Sequence, residues 1–141
     1  MSPKKNQKQF KILPHTADTR LLIFGSSYAD IFTNALLGMK AIIKPKEVDE
    51  ETPWRKIKIE SVDSTALLVD FLSEVLYLMQ TNNETYDKLK IFQITSCSLE
   101  GAIQGKKIKG VEEEIKAVTY HEAYIQQKSD NQWEAMVIFD L

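Results

Sequence analysis

The stretch WEAMVIFDL, Trp133–Leu141, decides the architecture. Beyond Glu134 it is apolar on both alternating sets, with Ala135, Val137 and Phe139 on one and Met136 and Ile138 on the other. A strand sends successive side chains to opposite faces, so a run apolar on both belongs at the centre of a sheet, covered on each side. Working outward, IKAVTYHEAYIQQ (115–127) reads as a neighbouring strand, and KSDNQ (128–132) as the hairpin turn between them. Further back, YDKLKIFQITSCSLEGAIQGKKI (86–108) reads as two strands joined near Glu100-Gly101. FKIL (10–13), RLLIF (20–24) and RKIKIESV (55–62) add three more.

Two segments break the strand pattern. SSYADIFTNALLGMKAIIK (26–44) repeats Tyr28, Ile31, Phe32, Ala35, Leu36, Met39, Ile42 and Ile43 at helical spacing. Ser27 with Asp30 three residues on makes a start signal, and Pro45 marks the end. DSTALLVDFLSEVLYLMQ (63–80) is the stronger helix, capped by Asp63 or Ser64 and apolar along Leu68, Phe71, Leu72, Val75, Leu76 and Met79. Asp70, Ser73, Glu74 and Tyr77 fall on its other side. EVDEETPW (47–54) reads as an acidic loop. The expected fold is α+β: two amphipathic helices packed with a mostly antiparallel or mixed sheet of about seven strands. It forms a single domain over residues 10–141, with residues 1–9 as a basic, flexible tail.

At 141 residues and 43% hydrophobic composition the chain buries a core without disulfides or metal staples. One cysteine, Cys97, fits a reducing compartment, and the lack of a signal-like or membrane-length apolar run makes the expected location cytoplasmic with no membrane partner. Lys4, Lys5, Lys8 and Lys11 open the chain with no acid among them. Setting those four apart from the 18 basic residues leaves 14 against 20 acidic ones, about −6 for the body. Phosphate-backbone affinity comes from Lys and Arg, so the body is a poor sole binder of nucleic acid.

GKKIKG (105–110) has neither the spacing nor the following helix of a phosphate loop, and no Gly-x-Ser-x-Gly or Cys-x-x-Cys occurs. Cys97, placed in a strand without a neighbouring histidine, reads as a structural thiol. Three features remain. His15-Thr16-Ala17-Asp18 interrupts two apolar strands with polar groups, either closing a turn or supplying half of a site. In IKAVTYH, Thr119 and His121 share a strand face and Lys116 stands near its start. In MVIFDL, Asp140 and the α-carboxylate of Leu141 put two anions side by side. Held against a core, they need protonation or a cation, and a hard divalent ion with Asp18 as a further oxygen ligand suits them. A two-histidine, one-carboxylate site from His15, His121 and Asp18 is a second metal arrangement, suited to iron or zinc.

HTAD, LLVDFLSEVLY, IKAVTYHE and the terminal DL, in that order, resemble the archease family from about His15 to Leu141. Thr19 stands where the family usually has an aliphatic residue, and Phe71 and Ser73 where it favours Trp and Asn; Glu74 is kept. The resemblance implies a small α+β protein that is not an enzyme. It would activate an RtcB-type RNA ligase in tRNA splicing, promoting nucleotidylation of the ligase's active-site histidine and multiple turnover. It implies metal binding by Asp18 and Asp140, with Leu141 adding a terminal oxygen, and a functional Lys116. His15, Thr119 and His121 would support the site. The ion would be Ca²⁺, with Mg²⁺ or Mn²⁺ as alternatives, and tRNA would be met only through the ligase. Two other readings compete: a metal-dependent phosphoesterase with His15 or His121 as general base, and a general chaperone-like or RNA-binding module.

Overall fold

The computed structural model describes residues 8–15 and 17–141, so the expected tail lies outside the described residues up to position 7. The elements run β1 (Phe10–Pro14), β2 (Asp18–Gly25), α1 (Tyr28–Ile43), β3 (Pro45–Glu51), β4 (Arg55–Glu60), α2 (Ser64–Asn82), β5 (Glu84–Ile94), β6 (Ser98–Val111), β7 (Ala117–Ser129) and β8 (Gln132–Asp140). The α+β class is as expected, but the strands form two sheets rather than one, and all pairings are antiparallel.

The first sheet has the order β1-β2-β8-β7. Its centre is β8, where Ala135 to Phe139 are all buried. Ala135, Val137 and Phe139 join the core cluster with Leu21 and Ile23 of β2, whereas Met136 and Ile138 are buried on the other face outside that cluster. Cover there comes from neighbouring side chains: the Arg20 guanidinium lies 4.0 Å from Met136 Sδ. In the second sheet the 14-residue β6 pairs with β5 along one side and with β4 and β3 in succession along the other.

Each helix touches both sheets, α1 through β2 and β5, α2 through β7, β4 and β5. Ser27 caps α1 by accepting from the Asp30 N–H at 3.1 Å, and Asp63 caps α2 by accepting from Ala66 at 2.8 Å. Both helices end on left-handed residues, Lys44 and Asn83, whose N–H groups return to Lys40 and Met79.

Three local expectations fail. The acidic loop contains an eighth strand, β3, whose charges are matched across the sheet by Lys106 on Asp49, Lys107 on Glu50 and Lys88 on Glu51. The β5–β6 turn falls at Thr95–Cys97, with Thr95 N–H donating to the Ser98 carbonyl at 2.8 Å, not at Glu100-Gly101. Cys97 is therefore exposed in a turn rather than held in a strand. Gly101 sits inside β6, where a Cβ would come 2.2 Å from the Lys90 carbonyl oxygen. The glycine there permits close approach of two backbones beside a bulge, which is a different use of glycine from a turn.

Candidate metal centre

Asp18 opens β2 and Asp140 closes β8, and the register sets them directly opposite each other. Directly paired residues on antiparallel strands have Cβ atoms about 4.5–5.5 Å apart, close enough for two carboxylates to repel or to share one cation. On the other flank Ala117 pairs with Asp140, and the Lys116 N–H donates to the Asp140 carbonyl at 2.8 Å. The end of the chain is tied down: Leu141 N–H donates to the Ala17 carbonyl at 3.3 Å, and its side chain packs against the core. The start of β2, the end of β8 and the start of β7 thus bring Asp18, Asp140, Leu141 and Lys116 together.

The turn before β2 is closed by backbone, His15 N–H donating to the Asp18 carbonyl at 2.9 Å. Among the described residues the Asp18 side chain makes no hydrogen bond to that turn. Its buried Oδ1 has no hydrogen-bond partner among them, and His15 Nδ1 stands 3.9 Å away, beyond hydrogen-bond reach. A buried anionic oxygen left unpaired is costly, so Asp18 and Asp140 fit a hard cation, which takes carboxylate and carbonyl oxygens. Thr119 Oγ1 is also buried and has no partner among the described residues. Thr119 pairs with Ile138, two residues from Asp140, so it lies on the same sheet face as the acids.

The histidine arrangement does not assemble. Among the described residues no group of three or more His, Cys, Asp or Glu side chains converges, so His15, His121 and Asp18 form no ligand set. His121 is 77% exposed, with Nε2 3.0 Å from Glu122 Oε2. The expected sharing of a face by Thr119 and His121 fails for a physical reason. A bulge inserts extra residues between Thr119 and Tyr124, and Glu122 there adopts a left-handed φ of 56°, so alternation stops at Thr119.

The bulge is fastened on two sides by contacts that local pattern does not reveal. Arg20, two residues beyond Asp18, makes a bidentate pair with Glu122, both contacts 3.1 Å. The Arg20 hydrogen bonds hold the Glu122 carboxyl below its ordinary range, and Glu122, ahead of Asp18, raises Arg20. The guanidinium nearest Asp18 is thus engaged elsewhere. Tyr120 donates to Asp70 of α2, which raises the phenol above its usual value, and Ser61 donates to the other Asp70 oxygen at 2.6 Å. The exposed side of α2, polar by sequence, is where this anchor sits.

An α+β protein of two helices between two antiparallel sheets, with paired aspartates at one strand end, is the class so defined. The archease protein family (MTH1598/TM1083) matches residues 10–141, and the chain belongs to that family. It is 34% identical to the archease of Methanosarcina mazei over 143 aligned positions, covering 95% of this chain and 97% of that one. The solution structure of Methanobacterium thermoautotrophicum protein 1598 superposes with a TM-score of 0.73 at 31% identity, covering 96% of this chain and all of that one. The crystal structure of a Thermotoga maritima archease, described as a possible chaperone, shares the fold with a TM-score of 0.65 at 22% identity, covering 93% and 96%. No helix among the described residues is long and apolar enough to cross a membrane.

Proposed function

We propose that this chain is a metal-binding, non-catalytic activator of an RtcB-type RNA ligase, acting in tRNA splicing and RNA repair and meeting tRNA only through the ligase. It would promote nucleotidylation of the ligase's active-site histidine and so sustain turnover. The observation that carries this reading is the pairing of Asp18 with Asp140, with Asp18 Oδ1 buried and without a partner among the described residues. Membership of the archease family supports it.

Asp18 and Asp140 would hold the ion, with the carboxyl group of Leu141 as a further donor. Ca²⁺ suits these oxygens, and Mg²⁺ or Mn²⁺ are alternatives. Bound there, the ion supplies positive charge and coordination positions open to a partner's oxygens. Lys116, exposed beside Asp140, would present a second positive charge to the partner. His15 borders Asp18, while Thr119 and, through Glu122 and Arg20, His121 shape the face beside the acids.

The test is a multiple-turnover RNA-ligation assay with the cognate ligase. Stimulation by the wild type, lost in Asp18→Ala and Asp140→Ala variants of unchanged circular dichroism, is the expected result. Full stimulation by both variants refutes the reading. Hydrolysis of phosphate esters by the purified protein alone, without stimulation of the ligase, would establish the phosphoesterase instead.

A further inference from the structure

Both helices end at one side of the molecule, and between their C-termini lies an apolar groove of about 350 Å³. Ile43 of α1, Leu76 and Met79 of α2, and Ile108, Val111 and Ile115 line it. Glu113 and Glu114 stand on its rim, exposed, and no Lys or Arg lines it. Among the described residues neither glutamate forms an ion pair. Their loop is fixed in place: the N–H groups of Glu112 and Glu113 donate to the Ile43 carbonyl at 3.0 and 3.1 Å, and Gln80 Nε2 donates to the Ile115 carbonyl at 3.2 Å. Helix C-termini carry partial negative charge, so two of them reinforce the glutamates.

We infer that this groove seats a segment of the partner ligase that carries an apolar side chain flanked by Lys or Arg. The inference rests on the proposed ligase partnership. Apolar floor, acidic rim and two helix C-termini together select an occupant that is greasy at its centre and cationic at its edges. Position favours the same partner. Ile115 lines the groove, and the backbone N–H of Lys116, the next residue, donates to the Asp140 carbonyl, so one residue of backbone joins the groove to the aspartate pair. A second copy of this chain is a poor occupant, because a two-fold contact there sets one acidic rim against another.

Two variants separate charge from shape. Glu113→Lys with Glu114→Lys reverses the rim. Gly110→Trp fills the groove, since Gly110 lines it and a Cβ at that position meets nothing within 4 Å. Binding to the full-length ligase is measured by isothermal titration at two salt concentrations, with thermal melting and Ca²⁺ titration of each variant. The expected result is at least tenfold weaker ligase binding for each variant, with a flatter salt dependence only for the charge reversal. Melting and Ca²⁺ binding should match the wild type.

Wild-type affinity in both variants overturns the inference while leaving the aspartate reading intact. Weakening by the charge reversal alone reduces the rim to long-range attraction and overturns the groove as a seat. Loss of a self-associated species in Gly110→Trp makes a second copy the occupant and overturns the ligase segment. A wild type that does not bind the ligase sinks the partnership and this inference together. Should Gly110→Trp melt early, Ile108→Ala tests the same floor by removing apolar surface.

Discussion

Asp18 and Asp140 face each other across β2 and β8 at the last pair of their ladder, with no lysine or arginine side chain bridging them among the described residues. Like charges set directly opposite on a sheet destabilise it. The nearest arginine, Arg20, is committed to Glu122. A fold that leaves two acids in this relation gives up stability which the proposed cation would return.

Thermal melting with and without Ca²⁺ follows from that relation. At an ion concentration about 100 times the dissociation constant, the wild type should gain about 2.7 kcal/mol, a rise of roughly 10 °C. Asp140→Asn should lose this increment. Without the ion it should melt slightly above the wild type, by up to about 1 kcal/mol, because the repulsion is gone. An Asp140→Asn protein that still gains the full increment would place the ion elsewhere.

Much of the fold is legible in the sequence because its signals are local. The α2 stripe from Leu68 to Met79 and the two-sided apolar run of β8 follow directly from the 3.6- and 2-residue periods, and both stand in the structure. The strand β3 is not legible, because PKEVDEE has the composition of a loop and becomes a strand only through pairing with β6. Division into two sheets is likewise a matter of long-range pairing. At the site, Asp18 taken alone fits a turn, and Asp140 taken alone fits a solvated chain end. Their apposition depends on the β2–β8 register, which no local pattern encodes. The bulge at Tyr120–Ala123 is hidden for the same reason: the residues alternate as a regular strand would, and its anchors, Asp70 and Arg20, lie far away in sequence.

The second sheet holds a charge pair with a pH signature. Glu84, 1% exposed, accepts from Arg55 Nε at 3.0 Å and Nη2 at 2.7 Å, and from the Tyr86 hydroxyl at 2.7 Å. Burial alone would raise this carboxyl, but the Arg55 and Tyr86 hydrogen bonds outweigh it and hold it below its ordinary value. Its contribution is therefore fully present above the unfolded carboxyl range, about pH 4.3, and is lost as pH falls through the lower folded value. Glu84→Gln should cost roughly 2–3 kcal/mol at pH 7, since Arg55 loses its partner yet keeps access to water. Urea denaturation at pH 7 and pH 3 checks this: the gap between variant and wild type should narrow in acid. A gap that widens would assign the pair the opposite sign.

Gly101 is a position where a single methyl should be severe. A Cβ there would meet the Lys90 carbonyl oxygen at 2.2 Å, a backbone atom fixed in the β5–β6 ladder, so no side chain can turn aside to relieve the clash. Gly101→Ala should lower stability by about 3 kcal/mol or more, in the range of strain and overpacking effects. Gly110→Ala in the same strand meets open space and should stay within about 1 kcal/mol of the wild type, the ordinary cost or gain of a surface change. Chemical denaturation of the two variants side by side decides the matter; equal stabilities would mean that the β5–β6 backbones separate at little cost.

Lys116 separates the ion's role from the partner's. Its backbone N–H completes the ladder at Asp140, a bond that substitution of the side chain leaves in place, and the side chain is exposed without an ion pair among the described residues. Lys116→Ala should therefore melt within about 0.5 kcal/mol of the wild type. Removing a positive charge beside the acids should leave Ca²⁺ affinity unchanged or slightly tighter. Ligase stimulation should nevertheless fall at least tenfold, with partial recovery in Lys116→Arg, which restores the charge but not the ammonium geometry. If Ca²⁺ affinity and stimulation fall together in Lys116→Ala, the lysine acts by shaping the aspartate pair and makes no separate contact with the partner.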